Sequence, residues 1–472
     1  MNSQKLVPEK TVPPSLASLS QNGLSERRAE IGFFAFLAMA FLMGGGSRAD
    51  IDSLGVLRFL SACAVGYAIL TIARDDMARI KLPLALLAAI AAIGIIQLVP
   101  LPPEAWTSLP ERAAIARLDA LIGLDARRPI TLSPSATLNT IFSLIVPLAG
   151  LLLFAAARNV DRALTGFVVL GTISALLGIL QVFSDPRSGL YFYEITNNGS
   201  AVGLFANRNH QAVFLSCCVL ICSYLATSRE LGAGRSYVWL IWSAAGLMGL
   251  CVLINGSRAG LMALIMVTLM SALALALRKP RGDKDTGRGF ARWAMPAALL
   301  TIAGLVLGLF AAAQRIPALA RLLEDSALED LRAKLLPILV EMAGDFQPWG
   351  TGLGAFEHAY RMREPIELLG PAYVNEAHND WLQIVIEGGV PAILIMGLSA
   401  VIVAWRAVAL LKQKPLYFEA RSWLGLGLLA VLGIASLVDY PLRVPSMMVL
   451  GIIALAIFLH PALNKERDRT PV

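Results

Sequence analysis

Apolar runs of about twenty residues, separated by short polar connections, fill most of this 472-residue chain. A helix needs ~20 apolar residues to cross a bilayer, and only helices or closed barrels satisfy their backbone groups there. Twelve runs are read, at 31–46, 55–73, 82–100, 137–157, 164–184, 209–227, 237–254, 259–277, 292–312, 381–410, 422–438 and 446–461. Only 15% of residues are charged, where soluble domains carry roughly 25%. The expected fold class is an all-α polytopic membrane protein of about 12 transmembrane helices, with a large helical loop before the tenth.

The polar remainder divides the chain. Residues 1–30, with Pro13-Pro14 and Arg27-Arg28, read as a disordered tail. Residues 31–461 form the membrane domain and 462–472 a second tail. Lys and Arg set the orientation. The loops holding Arg74, Arg79 and Lys81, Arg278 to Arg292, and Lys412 to Arg421 are short and basic. The positive-inside rule puts them, with both termini, in the cytoplasm. The net charge of +7 is then a matter of orientation, and nucleic acid is not an expected partner; the lipid bilayer is. Cys63, Cys217, Cys218, Cys222 and Cys251 all fall inside apolar runs without His or acid neighbours, so packing is expected of them.

Three connections on the opposite, outer side are long: 101–136, 185–208 and 313–380. In the last, Leu319, Leu322, Leu323, Leu328, Leu331 and Leu335 alternate with charge and predict an amphipathic helix over 315–343. Pro348-Trp349-Gly350-Thr351-Gly352-Leu353-Gly354 follows. Its glycines end any helix and permit close backbone approach. No strand precedes it, so it is not a nucleotide-binding loop.

The loop ends on Asn375-Glu376-Ala377-His378-Asn379-Asp380-Trp381-Leu382-Gln383, running on to Glu387-Gly388-Gly389. Asn379, Gln383 and Glu387 repeat every four residues and share one helical face. Ionisable groups at a membrane boundary are functional candidates. Asp380 with Gln383 also fits a capping box, a purely structural use. His378 would stand at a helix N-terminus, where the dipole favours the neutral imidazole that accepts a proton. Arg208, Arg258, Arg332, Arg361, Arg363, Asp439 and Arg443 fall on the same face. Each has an ordinary explanation: lipid headgroups for Arg258, a surface pair with Glu329 or Asp330 for Arg332, a mutual pair for Asp439 and Arg443. Yet Lys334 is the one lysine among the outer basic residues. Guanidinium forks bind phosphate oxygens bidentately, so the bias towards Arg favours a phosphate ligand.

These pieces, in their order, resemble the superfamily of O-antigen ligases and O-antigen or exopolysaccharide polymerases. Phe205-x-Asn207-x-Asn209-His210 is similar to its Asn-x-Asn segment, and Ser257-Arg258 to its Ser-Arg turn. Arg332, then Pro348 and the glycine segment, is similar to its large periplasmic loop. Ala377-His378-Asn379-Asp380 with Glu387-Gly388-Gly389 is similar to its His motif, with Trp381 where an aromatic, often Tyr, is usual. The resemblance implies a multi-pass bacterial inner-membrane enzyme with a periplasmic active face. It would transfer a glycan from a polyprenyl-pyrophosphate carrier to an acceptor hydroxyl on lipid A-core or on another lipid-linked glycan. Protein acceptors are a third possibility within the superfamily. His378 would be the base; Arg258 and Arg332, with Arg208, would hold the pyrophosphate, and Asn379, Asp439 and Arg443 complete the substrate-binding candidates. No cofactor, metal or ATP is expected, since no clustered carboxylates are evident. The competing class is an anion or small-molecule transporter. Its weakness is that Arg58, Glu387 and Arg406 are the main charges within the runs.

Overall fold

The computed structural model of the chain describes residues 16–227, 235–276, 326–369, 374–413 and 419–460. These residues are overwhelmingly helical. Strand is confined to Pro100–Leu101 (β1), paired antiparallel with Arg128–Pro129 (β2). The helices are α1 (Leu16–Met43), α2 (Ser53–Thr71), α3 (Arg74–Arg79), α4 (Lys81–Gln97), α5 (Pro103–Thr107), α6 (Ala113–Leu121), α7 (Pro134–Ser143), α8 (Ile145–Ala157) and α9 (Val160–Val182). They continue with α10 (Arg208–Thr227), α11 (Arg235–Asn255), α12 (Arg258–Ala276), α13 (Ser326–Asp345), α14 (Phe356–Arg361), α15 (Asp380–Lys412), α16 (Ala420–Ala435) and α17 (Pro445–Leu459).

Among the described residues, seven helical segments are long and apolar enough to cross a membrane, where twelve were expected. The predicted runs at 82–100, 422–438 and 446–461 are the shorter helices α4, α16 and α17. Local chemistry shortens them: Pro100, Pro102 and Pro103 follow α4, and a 3-10 turn at Pro441–Arg443 separates α16 from α17. The run 292–312 lies outside the described residues, as does the start of the amphipathic helix expected at 315–343; the described part is α13. The run 31–46 is the latter part of α1, which begins inside the stretch read as a tail. Leu16, Leu19 and Leu24 recur there at helical spacing. The run 137–157 is broken into α7 and α8 around Leu144, because Pro147 has no N–H for the Ser143 carbonyl.

Lipid gives helices no hydrophobic reason to associate, so close packing by small residues carries the bundle. Gly150 receives Val449, Gly171 receives Cys218 and Met248, and Gly425 lies against the backbone of Ala454 and Phe458. α10 is enclosed throughout, with every residue from His210 to Ser223 buried. The cysteines carry no disulfide, and four of the five are buried in this packing, as expected. Charges within the runs are engaged: Arg58 donates to Asn139 (2.7 Å), and Arg406 pairs with Glu419.

A second, smaller core stands apart from the bundle. Leu335, Leu339, Met342, Phe356, Tyr360, Ala377 and Ile386 join α13 and α14 to the first turns of α15. α15 is broken at Gly389, whose φ of 58° and ψ of −153° are open only to glycine. The glycine segment fills the break. Thr351 N–H donates to the Ile386 carbonyl (2.9 Å), Gly352 N–H to Glu387 (3.0 Å), and Val390 N–H to Pro348 (2.8 Å). The buried Gln97 amide closes the junction, donating to the Trp349 and Glu387 carbonyls and accepting from Leu353 N–H. A side chain at Gly350 or Gly389 would strike the opposing backbone. These glycines therefore join backbone to backbone, and the stub Asp380–Gly388 is fastened to the loop.

Candidate active site

His378 is the residue before the N-cap of α15 and has a positive φ of 50°. Asn379, not Asp380, is the cap: its Oδ1 accepts from Leu382 N–H (3.1 Å). Asp380 fails in that part because its carboxylate turns inward, accepting from Ser436 Oγ (3.0 Å) and Leu442 N–H (3.2 Å). Gln383 closes no capping box. Its Oε1 accepts from Ala377 N–H (2.7 Å), and its amide nitrogen donates to Glu376 and Glu387. The shared face of Asn379, Gln383 and Glu387 does turn inward; Gln383 and Glu387 are fully buried.

The His378 ring lies against Tyr440, with centroids 5.0 Å apart, and His210 packs on the same tyrosine at 5.0 Å. His378 Nδ1 is 3.3 Å from Oδ1 of Asp439. That buried carboxylate also lies 3.8 Å from His210 Nε2 and accepts from Asn209 Nδ2 (2.7 Å). Asn209 Oδ1 in turn accepts from Ser257 Oγ (2.7 Å), which also accepts from Gly260 N–H to cap α12. One hydrogen-bonded chain thus runs His378, Asp439, Asn209, Ser257. It ties the site to the starts of α10 and α12, whose first residues are Arg208 and Arg258. Arg208 is half-buried and Arg258 exposed. A ring proton on Nδ1 directed at Asp439 leaves the lone pair on Nε2. Among the described residues Nε2 has no hydrogen-bond partner, and 19% of the side chain is exposed.

Burial, reinforced by Asp439 and Glu376, pushes the Tyr440 hydroxyl well above its ordinary range, against hydrogen bonds with Asn207 and Asn375. Tyr440 is therefore a neutral wall between the two histidines.

Arg443 belongs to a neighbouring cluster. It does not pair with Asp439. Its guanidinium meets Glu387 (3.0 Å), Asp380 (3.3 Å) and Glu376 (3.5 Å). Three carboxylates gather here around a guanidinium at their centre. Burial would lower Arg443, but the three carboxylates override it and hold it above its ordinary value. Burial pushes Glu376 up to about 7, against the pull of Arg443.

The other arginines separate. Arg361 pairs with Glu357 (2.7 Å) and Arg363 with Asp345 (2.7 Å) within the loop, and Arg363 also pairs with Glu111 (2.8 Å) of the 101–136 connection. Arg332 is on α13, and its side chain lies outside the described residues. The structure so brings together His378, Asn379, Asp439, Arg443 and the starts of the helices bearing Arg208 and Arg258. Sequence reasoning passed over Asn209, Ser257 and Tyr440 as partners. The Asn-x-Asn and Ser-Arg pieces were the signal for Asn209 and Ser257, because only the tertiary fold joins them to Asp439.

A family profile described as O-antigen ligase matches residues 243–397. That stretch holds Arg258, Arg332, the glycine segment, His378, Asn379 and Glu387; Arg208, Asp439 and Arg443 lie outside it. No curated protein matches the chain. The matched stretch carries both the broken helix and the histidine turn, and it supports the O-antigen ligase and polymerase family.

Proposed function

We propose that the chain transfers a glycan from a polyprenyl-pyrophosphate carrier to an acceptor hydroxyl at the outer, periplasmic face of the bacterial inner membrane. The family match supports glycan transfer of the O-antigen ligase or polymerase type and does not favour transport. The observation that carries the mechanism is the state of His378: Nδ1 engaged by a buried carboxylate, Nε2 open.

In this reading Nε2 takes the proton of the acceptor hydroxyl, which is a poor nucleophile without a base in hydrogen-bond reach. Asp439 fixes the tautomer and steadies the imidazolium as it forms. The hydroxyl oxygen attacks the anomeric carbon, the bond to the pyrophosphate oxygen breaks, and the configuration inverts. Negative charge grows on the leaving pyrophosphate and needs fixed positive groups. Arg208 and Arg258, each opening a helix whose N-terminus favours anions, and Arg332 on α13 supply them, without metal or ATP. Asn379 holds the helix start. Arg443, already engaged by three carboxylates, holds the stub rather than the substrate.

The test uses purified protein in detergent with a polyprenyl-pyrophosphate-linked glycan. Product on lipid A-core identifies a ligase; elongation of a second lipid-linked glycan identifies a polymerase. Failure with lipid A-core, lipid-linked glycan and protein acceptors alike, or Arg332→Lys transferring as well as wild type, would count against the donor assignment.

A further inference from the structure

We infer that α6 lies in the headgroup layer of the bilayer and anchors the loop 101–133 to the membrane surface. No residue of this nine-residue helix is buried, yet one face is apolar. Leu118, Leu121 and Ile122 are 62%, 82% and 74% exposed, and Ile115 lies one turn before them on the same face. Spaced i, i+3, i+6 and i+7, these four residues make a continuous stripe. Arg117 and Asp119 flank it, and Leu124 (46% exposed) extends it past the helix end. An apolar stripe this exposed, bordered by charge, fits a helix lying flat in a membrane interface.

Continuity with the lipid-facing surface identifies the occupant. The chain enters this loop from Ile95, Ile96 and Val99, at 58%, 54% and 50% exposed, at the end of α4. It returns to Leu138 and Phe142 of α7, at 41% and 60% exposed. β1 and β2 close the loop within a few residues of both helices. The bidentate Arg128–Asp119 pair (2.6 and 2.7 Å) binds α6 to that closure. The stripe is thus held close to the level at which two membrane helices emerge. Exposed Arg117 and Arg127 suit lipid phosphates there.

The same loop also touches the glycine segment. Arg112 is buried, donates to the Ile130 carbonyl (2.7 Å), and stands near the Phe346 and Trp106 rings. Leu132 N–H donates to the Thr351 carbonyl (2.8 Å). An anchored α6 would therefore set the height of the fastened stub above the bilayer. The anchoring itself is independent of the glycan-transfer reading.

The test is site-directed spin labelling of the full chain in phospholipid nanodiscs, on a Cys63→Ser background, since the other four cysteines are buried. Labels are placed singly at Leu121→Cys, Leu118→Cys and, on the opposite face, Ala120→Cys. The expected result is that positions 121 and 118 favour collisions with oxygen over a water-soluble nickel chelate at least threefold more than position 120. Equal nickel access at all three positions overturns the proposal. So does shielding of 118 and 121 from both reagents, which would mean a protein surface covers the stripe. The readout is independent of transfer activity, so an inactive preparation does not affect it.

Discussion

His378 and Arg443 have almost the same exposure, 19% and 16% of their side chains. They differ in how many opposite charges surround them. Arg443 faces three carboxylates, which Gln383, Ser436 and a backbone N–H satisfy further. His378 has one nitrogen on Asp439 and the other open among the described residues. A cation ringed by three carboxylates holds structure, because its charge is already matched. A ring with one nitrogen open has chemistry to offer. Exposure alone would have put both in one class.

The contrast breaks if the two residues fail in the same way. His378→Ala is expected to lower turnover by ~10²–10⁴-fold, the range of a lost general base, while the thermal midpoint in detergent stays at the wild-type value. Arg443→Met is expected to fail on stability instead, by ~3–5 kcal/mol, the cost of stranding buried partners. Thermal unfolding followed by far-UV circular dichroism measures it. A stable but inactive Arg443→Met protein would return that arginine to the substrate.

Gly389→Ala probes the junction that carries both residues. Its φ and the facing Pro348 carbonyl predict a loss of ~1–3 kcal/mol, read as a lower midpoint in the same assay. An alanine as stable as the glycine would show that the break is not fixed by the facing backbone. The smallest effect is expected from Glu376. Its folded value of about 7 stands above the ordinary 4.5. The folded chain therefore holds more protons than the unfolded chain between those values, and stability declines as pH rises through the window. Glu376→Gln should flatten that decline, measured as midpoint against pH; an unchanged slope would mean that Glu376 is already ionised.

Much of this was legible in the sequence. Apolar length located the helices, because a membrane leaves the backbone one economical way across. The turn at Ser257-Arg258 was marked by its family resemblance, and the shared face of Gln383 and Glu387 by its four-residue repeat. The break at Gly389 was not read, although Gly388-Gly389-Val390-Pro391 spells a poor helix, because the apolar run continues through it. Whether the cap was Asn379 or Asp380 depended on Ser436 and Leu442, more than fifty residues away. The separation of Asp439 from Arg443 is of the same kind. Four residues apart in a tight turn, they point at different neighbours, and no local rule decides which.

The broken helix has a consequence for how such a chain tolerates change. A continuous helix transmits phase: one inserted residue turns everything beyond it by ~100°. Here the backbone bonds around Gly389 stop that transmission. Beyond Val390, α15 presents Leu394, Leu398, Val401 and Trp405 outward at 61–70% exposure. That outward face can drift in sequence with the lipid it meets, while the histidine keeps its bearing on Asp439.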